Sequence, residues 1–122
     1  MAKAYSTIVV MSAALLFSSS ASSADAQASV ADNGQCVILL HGLARTSHSM
    51  DKMEQALIDG GYTTANIDYP SRSMKVQDLT ALAMDEGLNV CRSKDADTIH
   101  IVTHSMGGIL ARYYLAKNEL PK

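Results

Sequence analysis

Residues 98–108 read TIHIVTHSMGG, an apolar run that ends on Ser105 and continues into small residues. This order predicts a strand, a sharp turn and the start of a helix. At such a turn the backbone is tight and often strained, and the serine hydroxyl projects clear of the sheet. The backbone N–H of Met106 would lie at a helix N-terminus, which favours a developing negative charge. The stretch therefore predicts a nucleophile and one half of an oxyanion hole.

A second stretch supplies the other half of that site. Residues 36–40 read CVILL, a short apolar run typical of a strand buried on both faces, and His41-Gly42-Leu43-Ala44 follow directly. Gly42 allows a close backbone turn at this point. In a sheet built from alternating strands and helices, ligands bind beyond the C-terminal ends of the strands, so both stretches belong to one candidate site.

The order of strand, His-Gly-Leu, helix, strand, helix, strand and Thr-His-Ser-Met-Gly-Gly resembles the N-terminal half of an α/β-hydrolase, near bacterial lipase-like and esterase-like members. The resemblance covers about Gln35 to the C-terminus. It implies a mostly parallel sheet with helices on both faces, truncated before the later strands. It also implies that Ser105 is the nucleophile and that Leu43 and Met106 give the oxyanion-hole N–H groups, with supporting positions at His41, Gly42, His104, Gly107 and Gly108.

One residue departs from the family's G-x-S-x-G pattern, because Thr103 stands where the family has glycine. A β-branched residue fits there only if its side chain leaves the crowded turn. The alternative interpretation is a structural turn that happens to contain Ser-Met-Gly-Gly.

The other polar residues have structural interpretations. We expect His41 to brace the oxyanion loop by hydrogen bonding and His104 to support packing or the loop. His48 and His100 are expected on the surface or in a strand. Asp68 stands at the C-terminal end of its predicted strand and could line the pocket. It precedes Ser105, against the family order of serine, acid and histidine, so we interpret it as a turn residue.

The N-terminal segment, residues 1–26, has the pattern of a signal peptide: Lys3, an apolar core over residues 8–17 and the ending Ala24-Asp25-Ala26. A membrane anchor is the alternative, but this core is shorter than the roughly 20 residues that span a bilayer. Cys36 lies too far from the core to suggest a lipoprotein. We expect export to the periplasm or the extracellular space, a flexible mature N-terminus over residues 27–35 and one partial hydrolase domain over residues 36–122.

Helical periodicity predicts helices over residues 49–59 (Met50, Met53 and Leu57 on one face), 73–91 and from the turn at Ser105 to about 118. A strand is predicted over residues 62–68. In the last helix Ile109, Leu110, Tyr113 and Leu115 carry the pattern. Gly87 inside the second helix should cost about 1 kcal/mol.

The chain contains two cysteines, Cys36 and Cys91, which an exported protein would tend to pair. Cys36 begins its strand and Cys91 ends a helix antiparallel to it, so both should lie at the end of the sheet opposite the site. The resemblance adds that this helix crosses over the Cys36 strand. Two buried free thiols are the alternative.

The net charge of −2 gives no argument for binding nucleic acid or an anionic membrane. No spacing of histidines and cysteines fits zinc and no phosphate-binding loop is present, so we expect no cofactor and no metal. The resemblance implies an ester or lipid-like small-molecule substrate, no stable membrane anchor and an acyl-enzyme mechanism. The pattern predicts neither the substrate's chain length nor the oligomeric state.

The catalytic base is the missing part. Residues 106–122 contain no Asp and no His, and Glu119 is their only carboxylate side chain. In the family the acid and the histidine follow the nucleophile. We therefore expect the 122-residue chain to be inactive by itself and to represent a fragment of a serine hydrolase. The alternatives are a non-catalytic truncated hydrolase-like protein and an acyltransferase on the same fold.

Overall fold

The structure, a computed structural model, describes residues 32–121. The predicted signal peptide lies outside the described residues. Strands and helices alternate along the chain: β1 (Gln35–Leu40), α1 (Asp51–Asp59), β2 (Thr63–Ile67), α2 (Val76–Ser93), β3 (Thr98–Thr103) and α3 (Met106–Leu115), with a short 3-10 turn at Ser47–Met50. Within this described part, no helix has the length and apolarity needed to span a membrane. The protein therefore contains a small α/β domain.

The three strands form one parallel sheet in the order β2-β1-β3. β1 is central because its apolar side chains are buried on both faces, from Cys36 to Leu40. β3 pairs with it in a register that places Leu40 opposite Thr103. The last residues of β1 and β3 therefore lie side by side, immediately before the two candidate site stretches.

Helices cover both faces of the sheet, as expected. α2 and α3 cover one face, and the buried residues there form the larger core: Cys36, Ile38, Leu40, Ala65, Ile67, Tyr69, Leu79, Ala83, Met84, Leu88, Cys91, Ile99, Leu110 and Ala111. The other face has three buried core residues, Val37, Leu39 and Met50, with Leu57 of α1 packed against them. The domain is thus much better packed on one face than on the other.

The helix bounds differ from the prediction where local hydrogen bonds compete with the helix. Ser49 donates its N–H and its hydroxyl to the carbonyl of Thr46, which makes a 3-10 turn before α1. The Ser73 N–H bonds to the carbonyl of Pro70, so α2 begins at Val76 and not at Ser73. α3 ends at Leu115, where the Asn118 side-chain amide donates to the Tyr114 carbonyl and caps the last turn.

Three apolar residues that carry the predicted helix patterns are largely exposed: Met53 in α1 (48%), Ile109 (55%) and Leu115 (47%) in α3. Leu110 and Ala111 make the buried contacts of α3. Periodicity identified the three helices, but not every apolar residue that carries the pattern is buried.

The predicted disulfide is present: Cys36 and Cys91 are bonded, with their Cα atoms 5.6 Å apart and both residues fully buried. It joins α2 to β1, as the expected crossing of this helix requires. Gly87 assists the crossing, since a Cβ there would lie 2.7 Å from the side chain of Ile38. The glycine that weakens the helix intrinsically is thus the residue that lets it approach the sheet closely.

Candidate active site

Ser105 stands between β3 and α3 in the elbow, which we define as residues 103–107. Its backbone has φ 53° and ψ −118°, in the positive-φ region that residues other than glycine rarely adopt. Such a conformation costs about 1–3 kcal/mol and persists only where the surrounding structure imposes it. The serine is solvent-exposed. The tight turn predicted from the sequence therefore exists, with the hydroxyl-bearing residue on the outside.

The glycines of the elbow explain how this conformation is held. The N-terminus of α3 rests directly on the end of β1, because a Cβ at Gly107 would lie 2.4 Å from the carbonyl oxygen of Leu40. The N–H of His104 donates to the same carbonyl at 3.0 Å. Only glycine at position 107 lets the helix begin so close to the sheet, so the turn at Ser105 has to be sharp.

Thr103, the departure from the family pattern, is accommodated by Gly108. The threonine is exposed, and its Oγ1 lies 3.3 Å from the position that a Cβ on Gly108 would occupy. The side chain leaves the crowded turn over a residue that has no side chain. The lack of a side chain at Gly108 thus leaves room for Thr103 where the family has glycine.

The first loop, residues 41–46, lies against the elbow. A Cβ at Gly42 would be 3.0 Å from Nδ1 of His104 and 3.3 Å from Cβ of Ser105. Leu43 is exposed, and among residues 32–121 its backbone N–H and that of Met106 have no hydrogen-bond acceptor. Two N–H donors without an acceptor thus belong to segments that meet at Ser105.

His41 is fully buried at the start of the first loop. Its Nδ1 lies 2.9 Å from the Gly42 carbonyl oxygen, and its Nε2 accepts the backbone N–H of Tyr69 at 3.3 Å. Nε2 also lies 3.7 Å from Oδ1 of Asp68. Both ring nitrogens thus face partners in the first loop and in the segment after β2, so the side chain of His41 holds the first loop in place.

Tyr69 and Ser71, which the sequence analysis did not single out, complete the support of the first loop. The Tyr69 ring stacks on His41 with ring centroids 4.0 Å apart, and its hydroxyl donates to the His41 carbonyl. Burial raises the pKa of Tyr69 to about 12. Ser71 Oγ accepts the N–H of Ala44, whose φ is 60°, at 2.9 Å. Only their position after a strand could have indicated these roles.

The remaining candidates lie where their structural interpretations put them. Asp68 is exposed and accepts the Ser47 N–H at 3.1 Å, as a turn residue does. His48 is exposed beside Asp51 at 3.2 Å. His100 is exposed on β3 and lies 2.7 Å from the side-chain oxygen of Gln35. None of these groups is brought to Ser105 by a contact among the described residues.

Two cavities adjoin the first loop. One, of about 410 Å³, lies between this loop and the segment after β2, and Arg45, Asp68, Ser71 and Arg72 line it. The other, of about 530 Å³, lies between α1 and β3 and reaches His104, the residue before Ser105. Space for a ligand thus exists on both sides of the loop that supplies the Leu43 N–H.

No family model matches the chain, and no curated protein matches it.

Proposed function

We propose that this chain is part of an α/β-hydrolase that cleaves carboxylic ester or acyl-lipid bonds through an acyl-enzyme formed on Ser105. The observation that carries the proposal is the backbone of Ser105, with φ 53° and ψ −118° at a strand-to-helix junction. A strained serine at this junction is typical of the nucleophile of that fold. The contact of Gly42 with the elbow is the second support, since it brings the first loop to the same point.

In the proposed mechanism the Ser105 Oγ attacks the ester carbonyl carbon and loses its proton to a base. The negative charge that develops on the carbonyl oxygen is stabilised by the N–H groups of Leu43 and Met106. The alcohol leaves with a proton, and water then releases the acid from the serine. The dipole of α3 adds to the stabilisation because Met106 is its first residue.

The base is the part of this mechanism that residues 32–121 do not supply. His41 uses both of its ring nitrogens for support, and His48 and His100 contact other groups. The Nδ1 of His104 lies beside Gly42, and within residues 32–121 the His104 ring forms no hydrogen bond with Ser105. We therefore place the histidine and its acid partner in sequence outside the described part of the chain.

The experiment compares covalent labelling by a fluorophosphonate probe in the 122-residue chain, in a version extended by its natural downstream coding sequence, and in the extended Ser105→Ala variant. Ser93→Ala is the matched control. Ser93 is exposed at the C-terminal end of α2, before the start of β3, whereas Ser105 follows the end of β3. Esterase activity is measured in parallel with a p-nitrophenyl ester.

We expect the extended protein and its Ser93→Ala variant to label, with the adduct mapped to Ser105 by mass spectrometry. The short chain should keep at most the ~10³- to 10⁴-fold acceleration over water that an oxyanion hole without a triad provides. Full activity in the short chain would contradict the external base. Unchanged activity in extended Ser105→Ala would overturn the serine-hydrolase proposal itself.

We also propose export, supported by the buried Cys36–Cys91 disulfide, since such bonds persist in oxidising compartments. Removal of residues 1–26 should leave Gln27 as the first residue of secreted protein. Mass spectrometry of the secreted material would contradict this if Met1 remained.

A further inference from the structure

Arg45 of the first loop lies between two cavities of different character. The anion cavity, as we call the 410 Å³ space, is lined by Arg45, Arg72 and the hydroxyl-bearing residues Thr46, Ser71 and Ser73. The apolar groove, the 530 Å³ space, is lined by Met50, Met53 and Val102 and also by the cations Arg45 and Lys52. One arginine therefore borders both spaces.

The charges of the anion cavity favour a negative ligand. Arg45 and Arg72 are exposed, and within residues 32–121 neither guanidinium forms an ion pair or a hydrogen bond. Asp68 is the one carboxylate that lines the cavity, and it already accepts the Ser47 N–H. The two arginines outnumber the one carboxylate, which gives the cavity a net positive charge. The chain as a whole has a net charge of −2. Unpaired arginines are suited to bind phosphate or carboxylate with two parallel hydrogen bonds.

The wall of the anion cavity is held in place. Ser71 is buried, and its Oγ fixes the N–H of Ala44, the residue immediately before Arg45. Tyr69 is buried under the same loop and is bonded to His41. Since the backbone beside both arginines is anchored, binding an anion there requires ordering of two side chains only.

The apolar groove reaches the elbow at Thr103 and His104. Met50, Met53 and Val102 give it an apolar wall, and Thr103 and His104 line the end that adjoins Ser105 in the chain. Met53 is 48% exposed, which leaves a large apolar side chain available for contact with a ligand. An acyl chain placed there would have its ester group near the elbow.

We propose that Arg45 and Arg72 form an anion-binding subsite and that the substrate is an acyl ester whose alcohol part carries a phosphate. The acyl chain lies in the apolar groove, and the phosphate lies in the anion cavity on the other side of the first loop. This rests on the proposed function. Hydrolysis would transfer the acyl group from the alcohol oxygen to Ser105 Oγ, release the phosphorylated alcohol with one proton, and then release the fatty acid by addition of water.

The test uses the extended protein and a matched pair of substrates, 1-octanoyl-glycerol and 1-octanoyl-glycerol 3-phosphate, with kcat/KM measured from octanoate release. A charge-assisted hydrogen-bonded contact changes an equilibrium by about 10-fold or more, so we expect at least about a 10-fold preference for the phosphorylated ester. Arg45→Gln and Arg72→Gln should each reduce that preference, and Arg45→Lys should retain part of it. Arg92→Gln, at the far end of α2, is the matched control and should keep it.

Binding is measured separately with the uncleavable ether analogue 1-O-octyl-glycerol 3-phosphate and with inorganic phosphate, by calorimetry. The ether lipid should bind one to one, more tightly than phosphate, and should lose affinity in Arg45→Gln and Arg72→Gln. Circular dichroism confirms that each variant is folded. Equal affinity for phosphate and the ether lipid would overturn the assignment of an amphiphilic ester.

The two proposals fail in different ways. If the ether lipid binds and needs both arginines but Ser105 does not label, the anion subsite holds and the hydrolase proposal fails. If Ser105 labels and the neutral ester is cleaved as well as the phosphorylated one in every variant, the hydrolase proposal holds and the anion subsite is wrong.

Discussion

The two faces of the sheet differ in how completely they are packed. Fourteen buried residues form the core under α2 and α3, and the disulfide also joins α2 to β1. Three buried residues form the core under α1, and none of the residues of α1 itself is buried. The same three strands therefore support one well-packed face and one thin face.

This difference bears on the site. The residues that hold the first loop and the elbow, among them Tyr69 and Leu40, belong to the well-packed face. The apolar groove opens on the thin face, between α1 and Val102. A rigid support behind a site and an open, less stable surface in front of it are the usual division in binding sites. The predictions below test whether stability is divided in the same way.

The largest effect should come from the disulfide. Replacing Cys36 and Cys91 together by alanine removes a cross-link over 55 residues, which in the chain-entropy model is worth about 4 kcal/mol of unfolding free energy. Urea denaturation of the oxidised protein and of the double variant measures the loss. Equal midpoints and slopes in the two proteins would contradict the assignment of this face as the main source of stability.

A leucine from each face gives the next comparison. Leu79 of α2 is 1% exposed, and Leu79→Ala should cost about 3 kcal/mol of unfolding free energy because it leaves a cavity in the larger core. Leu57 of α1 is only partly buried, and Leu57→Ala should cost about 1 kcal/mol. Chemical denaturation of both variants decides the point, and similar losses would mean that the thin face is as well packed as the other.

The smallest effect concerns Tyr69 and pH. Its pKa is raised to about 12 by burial, whereas the unfolded chain has the ordinary value of 10.0. Between these values the unfolded state binds fewer protons at this site, so this contribution to stability is complete below pH 10 and is lost as the pH rises towards 12. Tyr69→Phe should flatten that part of the stability profile, measured by denaturation at several pH values. A profile with the same slope in the variant would show that other groups cause the alkaline loss.

The fold was largely predictable from the sequence. The apolar run of β1, the glycines after α1 and the strand before Ser105 gave the elements, and the bounds erred where Ser49, Ser73 and Asn118 make local hydrogen bonds. Of the site, Ser105 and the first loop were identifiable from their motifs. Tyr69 and Ser71 were not, because their roles depend on contacts with residues 28 and 27 positions earlier in the chain.

The alternation of strands and helices, the sharp turn at the serine and the pair of cysteines can be read from local sequence, since periodicity and small residues act locally. The hydrogen-bond partners of His41, the use of Gly108 to accommodate Thr103 and the placing of Arg45 and Arg72 around one cavity follow from the fold alone. Each of these depends on which segments meet in space. That is set by the packing of the helices and loops on the sheet and not by any residue's own preference.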